Sequence, residues 1–153
     1  EISLGLVGSE MCIRDSNYAV HAKADSLYNT PPVFAVYMAC LVTRWLKKEG
    51  GIAEMDRRAK ERSGLIYDVI DKSDGFYINT IAPQARSRMN VVFTLAEEAL
   101  TELFVKEAAD AGLTNLKGHR LAGGIRASLY NAQPKEAAQA LANFMTVFAA
   151  RHG

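Results

Sequence analysis

Pro31-Pro32 at one end and Gly50-Gly51 at the other frame a run whose only economical conformation is a helix of set length. Proline suits a helix's first turn, where its missing N–H has no partner to lose and its φ is already helical. Asn29 and Thr30 stand where a cap belongs, Lys47 and Lys48 complement the dipole in the last turn, and the glycine pair ends the run, so the spacing predicts a helix over 32–49. Its apolar part, 33–42, is about half the length a bilayer requires and is followed at once by Thr43 and Arg44. That reading makes it a core helix and removes a membrane from the expected partners. A second helix is expected over 52–72, with Ile52, Met55, Ala59, Ile66 and Ile70 on one face and Arg57, Arg58, Lys60 and Glu61 elsewhere, and with Gly75 closing the region.

The pattern then changes period. Residues 76–81 and 89–93 are rich in aromatic and β-branched side chains and flank a polar loop containing Pro83, which predicts an antiparallel hairpin. Thr94 and Glu97 have the spacing of a capping box, predicting a helix to 111 that turns Leu100, Leu103 and Phe104 inward and stops at Gly112. Two short strands, at roughly 113–117 and 124–129, are expected to bracket a glycine turn. Pro134 opens a last helix ending near Arg151, with Ala137, Leu141, Phe144, Val147 and Phe148 as its apolar face. Helix, helix, two strands, helix, two strands, helix is the order of an α+β fold in which helices cover one face of a mainly antiparallel sheet. With 153 residues, 49% of them hydrophobic, the chain can bury a core of its own.

Candidate chemistry concentrates in the glycine turn, Gly118-His119-Arg120-Leu121-Ala122-Gly123-Gly124-Ile125-Arg126. Between residues 111 and 135 there is no Asp or Glu, while Lys117, His119, Arg120, Arg126 and Lys135 all fall there. Glycines allow close backbone approach, and a guanidinium offers paired donors to a carboxylate or phosphate, so an anion is the natural ligand. Solvated charges around a turn would have the same composition, and both readings remain open on local sequence alone. A second anion candidate is Asn29-Thr30 at a helix start; Pro31 and Pro32 withhold backbone donors there, so the side chains would have to contribute, and ordinary capping accounts for the pair equally.

Other classes recede. A net charge of +1 supplies no general attraction to nucleic acid. Cys12 and Cys40 make no disulfide framework, which fits a reducing, cytoplasmic setting. His21 and His152 lie far from His119 in sequence, no spacing resembles a zinc site, and neither a nucleophile elbow nor a P-loop is present. Glu97, Glu98 and Glu102 read as solvated helix positions. These residues offer binding and no bond-breaking apparatus, so no catalytic or metal-ligating residue is assigned.

Four segments occur together in collinear order: Asp25-Ser26-Leu27-Tyr28-Asn29-Thr30-Pro31-Pro32, Arg44-Trp45-Leu46-Lys47-Lys48-Glu49-Gly50-Gly51, Ser87-Arg88-Met89-Asn90-Val91, and Leu116-Lys117-Gly118-His119-Arg120 through Asn131-Ala132. Over residues 17–153 the chain resembles the C-terminal part of the phosphoserine aminotransferase family, class-V aminotransferases of fold type I that use pyridoxal 5'-phosphate. The resemblance implies a homodimeric, cytoplasmic enzyme of serine biosynthesis that converts glutamate and 3-phosphohydroxypyruvate to 2-oxoglutarate and O-phosphoserine. It implies that Asn29 and Thr30 bind the cofactor phosphate of the neighbouring subunit. Arg126 would clamp the substrate α-carboxylate, and His119 and Arg120 would hold the distal phosphate or the glutamate side-chain carboxylate.

The same resemblance sets the expected organisation. Residues 1–16 look like a translated adapter sequence and lack the basic region of a secretory signal, residues 17–50 would be the end of the large domain and a connecting helix, and 51–153 the small domain. The lysine that carries the cofactor in the family belongs to an N-terminal large domain, and Lys23, Lys47, Lys48 and the later lysines do not lie in its motif. A fragment inactive on its own is therefore expected, with Phe34, Tyr37, Met38, Leu41 and Trp45 of the first long helix exposed and prone to self-association. Two alternatives stand beside this reading: a fragment of another class-V aminotransferase, which keeps Arg126 but changes the distal contacts, and a non-catalytic anion-binding α+β module.

Overall fold

The computed structural model describes residues 16–119 and 123–153. The adapter-like stretch up to residue 15, including Cys12, lies outside the described residues, as do Arg120, Leu121 and Ala122. The chain divides after Trp45 into two units, Glu1–Trp45 and Leu46–Gly153.

In the first unit, α1 (Tyr18–Lys23) is capped by Asn17, whose side chain accepts a hydrogen bond from the Ala19 amide at 3.0 Å. Asp25 and Ser26 then take positive φ values of 50° and 64°, which breaks the helix. Helix α2 (Val33–Lys48) begins one residue inside the proline pair, and the Pro32 carbonyl accepts the Val36 amide at 3.1 Å. The expected helix and the observed one agree to a residue at each end. The run is not the core helix its apolar stretch suggests, since no side chain of α2 is buried; Phe34 is 76% exposed and Tyr37, Met38 and Leu41 are also exposed, while Trp45 is half-buried.

The second unit begins its core on α3 (Gly51–Asp71), which buries Met55, Ala59, Ile66, Tyr67 and Ile70 along one stripe. Ile52 departs from expectation: in the opening turn it has nothing to cover it among the described residues and stays 90% exposed. Strands β1 (Tyr77–Ile78), β2 (Asn90–Leu95) and β3 (Ile125–Ser128) form an antiparallel sheet in that order, with Tyr77 opposite Leu95 and Arg126 opposite Val92. The expected strand 76–81 shortens because Asn79 intervenes. Its amide nitrogen donates to the Val92 carbonyl at 2.6 Å and its side-chain oxygen accepts the Ile81 amide at 3.1 Å, turning the chain toward a short 3-10 turn, Pro83–Ala85.

The capping box does not form. Thr94 is a strand residue paired with Ile78, and the Ala96 amide donates to Phe76 at 3.0 Å. Extending β2 buries Leu95 beside Val91 and Phe93, a gain in apolar burial that outweighs one cap, so α4 (Leu100–Asp110) starts later than expected. On it Phe104 is sealed and Leu100 packs against the core, while Leu103 points to solvent, contrary to expectation. Gly112 stops the helix in the left-handed region at φ 82°, as a glycine after a C-cap does.

The expected strand at 113–117 reduces to a single bridge between Lys117 and Ile125, because Asn115 sits at φ 62° and breaks the extended run. Among the described residues the sheet consequently has three strands. Helix α5 (Lys135–His152) buries Ala138, Leu141, Ala142, Met145 and Phe148; its inward face is rotated from the expected one, leaving Val147 exposed. It runs along α3, and the buried Tyr77 hydroxyl ties it to the sheet by donating to the Met145 carbonyl at 2.8 Å. The α+β architecture follows: α3, α4 and α5 cover the buried face of an antiparallel sheet.

The solvent side of α3 carries a charge cluster with a definite acid response. Hydrogen bonds from Arg57 and Arg58 hold the Glu54 carboxyl at about 2, against an ordinary 4.5. A carboxyl lowered on folding contributes its stability fully above the unfolded value and loses it as pH falls from 4.5 through about 2. Glu54→Gln is therefore expected to flatten the fall of Tm with pH across that window while leaving its slope above pH 5 unchanged. Parallel Tm profiles for parent and variant would contradict this assignment.

Candidate anion-binding site

Three glycines close the cationic turn, and the space around them explains two of them. A Cβ on Gly118 would stand 1.9 Å from the Gly123 carbonyl oxygen, and one on Gly124 would stand 2.8 Å from that of Phe93. Gly123 and Gly124 also take φ values of 67° and 64°. The Gly118 amide donates to Gly124 at 2.9 Å, and the Gly123 amide donates back to His119 at 2.8 Å. This closure holds His119 and Lys117 at an open cleft between the turn, the end of β2 and α4.

The cleft is not the uniformly cationic surface that residues 111–135 suggest. Glu98, Glu102 and Lys106 line it from the α4 side, facing Lys117 and His119. The α4 contribution was not anticipated, although Glu102 and Lys106 stand at the four-residue spacing that places side chains on one helix face. A ligand there meets both signs of charge. An anion alone would be drawn to the turn side and repelled by α4.

Arg126 occupies a different surface. In β3, Ile125 and Ala127 are buried while Arg126 and Ser128 are half-buried, so alternation turns Arg126 away from the core, onto the face it shares with Val92. Its Nε is shielded from solvent and has no hydrogen-bond acceptor among the described residues. A donor in that condition is unsatisfied until an acceptor arrives, and a carboxylate or phosphate oxygen is the strongest one available to a guanidinium. Arg126 does not line the cleft that contains His119. Arg120 lies outside the described residues.

Asn29 and Thr30 belong to the first unit, exposed and immediately ahead of the prolines that open α2. Neither side chain makes a hydrogen bond among the described residues, so the capping role open to them in the sequence is unused and their polar atoms remain available. One further basic residue escaped notice in the sequence. Arg62 is buried on α3, and its signal was its position, three residues after Ala59 and four before Ile66, on the apolar stripe itself.

A small antiparallel α+β unit carries a glycine-closed cationic turn and follows a proline-initiated helix in sequence. Residues 4–141 fit the aminotransferase class-V family, and the chain belongs to it. Over 137 residues it is 55% identical to the phosphoserine aminotransferase of Laribacter hongkongensis and 53% identical to that of Chromobacterium violaceum, covering 90% of this chain and 38% of each relative. Among solved structures it superposes on the phosphoserine aminotransferase of Bacillus circulans subsp. alkalophilus with a TM-score of 0.81 at 44% identity, over 89% of this chain and 38% of that one. The pyridoxal-phosphate-bound phosphoserine aminotransferase of Trichomonas vaginalis gives a TM-score of 0.75 at 39% identity, over 84% of this chain and 37% of that one. The chain thus spans less than two fifths of the length of these relatives. Among the described residues no helix is long and apolar enough to cross a membrane.

Proposed function

We propose that this chain is the C-terminal part of a phosphoserine aminotransferase, a cytoplasmic homodimer that uses pyridoxal phosphate to exchange an amino group between glutamate and 3-phosphohydroxypyruvate. The observation that carries the reading is Arg126, a half-buried guanidinium with an unpartnered Nε on the open face of the sheet, in a chain collinear with relatives of that name. Both amino donors have an α-carboxylate, and a fork of fixed geometry at that position orients either one in the same way. Orientation is what the protein must provide, because the reacting bond has to be placed against the cofactor.

Pyridoxal phosphate, when bound, supplies the electron sink that lets the amino group be transferred. Its phosphate fits the unengaged side chains of Asn29 and Thr30, which would reach it from the neighbouring subunit; the missing N–H groups of Pro31 and Pro32 leave that task to the side chains. His119 and Arg120 take the distal end of the substrate. One donor ends there in a phosphate and the other in a carboxylate, so a cationic turn serves both while Arg126 holds the shared end. The close approach at Gly118 and Gly124 fixes where the chain enters and leaves the turn.

This reading separates the distal contact from the proximal one. In a protein of the relatives' full length, Arg120→Ala is expected to lower kcat/KM for O-phosphoserine at least tenfold more than for an amino donor lacking a distal charge, since a charge-assisted hydrogen bond contributes about 1.5–3 kcal/mol. Steady-state kinetics with both donors decide it. Equal losses would remove Arg120 from the phosphate contact and favour an aminotransferase of the same class with another distal specificity.

A further inference from the structure

Every carboxylate on α3 is engaged by a partner on or near the helix's solvent side. Glu54 accepts from Arg57 and Arg58 at 2.7 Å each, Asp56 pairs with Lys60 and Arg88, Glu61 pairs with Arg57 and Lys135, Asp68 pairs with Lys72 at 3.8 Å, and Asp71 pairs with Arg86 at 2.7 Å. The remaining basic residue of the helix, Arg62, has none of them. It lies in the apolar stripe at 2% exposure, and its Nε and Nη2 are sealed from solvent without an acceptor among the described residues. Its charged neighbour Arg58 repels it, and burial together with that repulsion lowers its affinity for its proton below the ordinary arginine value.

Arginine does not escape such a position by neutralising, because its intrinsic basicity is too high. An unpaired buried charge is among the costliest features a core can contain, and a Leu or Met would fill the same stripe without it. The two unsatisfied nitrogens are also a matched pair. Nε and Nη2 share one edge of the guanidinium, the edge along which a carboxylate accepts two parallel hydrogen bonds. We propose that Arg62 is the receptor for a single carboxylate group that the described residues do not supply. This site lies on α3, apart from the glycine turn and from Arg126, and does not depend on the function proposed above. The carboxylate is either a small free anion or an Asp or Glu side chain of polypeptide other than the described residues.

Thermal unfolding of the 153-residue chain in sodium formate and in sodium chloride at equal ionic strength tests the proposal. A saturable rise in Tm of about 3 °C in formate is expected, with no such rise in Arg62→Met. In chloride, Arg62→Met is expected to melt above the parent, since the unpaired charge is gone. Should the Met variant fail to fold, Arg62→Gln serves as the unresponsive control, and formate against chloride on the parent still decides. Repeating the titration on a protein of the relatives' full length separates the sources: a lost formate response places the carboxylate on the polypeptide, and a retained one assigns a free anion. No formate response in the parent, or an equal response in the Arg62 variants, would overturn the proposal.

Discussion

Replacing Arg126 by Ala in a protein of the relatives' full length should reduce kcat/KM for glutamate and for O-phosphoserine alike, by about a hundredfold to a thousandfold. That is about 2.7–4 kcal/mol, inside the ~2–5 kcal/mol that truncating one member of a desolvated, hydrogen-bonded charge pair costs. The equality of the two losses is the sharper part of the expectation. Arg126 stands on the open face of β3, away from the cleft that holds His119, so it should address what the two substrates share and ignore what distinguishes them. Arg126→Lys should recover only part of the loss, because an ammonium provides charge without the paired donors. A loss confined to one substrate would place Arg126 at the distal end and invert the assignment.

The second large effect is structural. Phe104 is sealed in the core and meets four rings edge-on, Tyr77 at 6.1 Å, Phe93 at 6.0 Å, Phe144 at 5.2 Å and Phe148 at 5.0 Å between centroids. It is where α4, the sheet and α5 converge. Phe104→Ala removes a large apolar side chain and leaves a cavity that four aromatic neighbours cannot collapse without leaving their own packing. The expected cost is about 3–5 kcal/mol, read as a drop in Tm of about 10 °C or more or as a lower urea midpoint at constant slope. A loss below about 1 kcal/mol would mean that the core centres elsewhere.

What could be read from the sequence followed the strength of local signals. The proline and glycine pairs around α2 and the stripe of α3 located both helices, since capping and period act within a few residues. Thr94 and Glu97 misled because a capping box is local while the extension of β2 is not: Leu95 gains burial only once β1 and the helices are in place. Asn79 and Asn115 cut expected strands short for a related reason, one through side-chain hydrogen bonds that compete with the ladder and the other through a left-handed backbone. The rotated face of α5, with Val147 outside and Met145 inside, shows that an Ala-rich helix carries too shallow a pattern to fix its orientation without its neighbours.

The site divides in the same way. The positions of the cationic residues and glycines were legible, because composition and turn chemistry announce them. Their grouping was not. Lys117 and His119 share a cleft with Glu98, from the turn ahead of α4, and with Glu102 and Lys106 of α4, and Arg126 faces another surface because strand alternation separates it from the turn. Arg62 was overlooked because a charged residue on an apolar stripe is read as a flaw in the pattern. In the folded chain it is a buried guanidinium without an acceptor among the described residues.

The most direct measurement is the amino-donor preference of the pyridoxal-phosphate-loaded protein at the relatives' full length, with O-phosphoserine, serine and alanine each offered against 2-oxoglutarate. A cationic turn that recognises a distal phosphate predicts kcat/KM for O-phosphoserine at least about a thousandfold above the other two, in line with the penalty a site built for a polar group exacts on analogues lacking it. Comparable values for O-phosphoserine and serine would contradict the account, leaving the class of enzyme intact but removing the phosphate from its substrate.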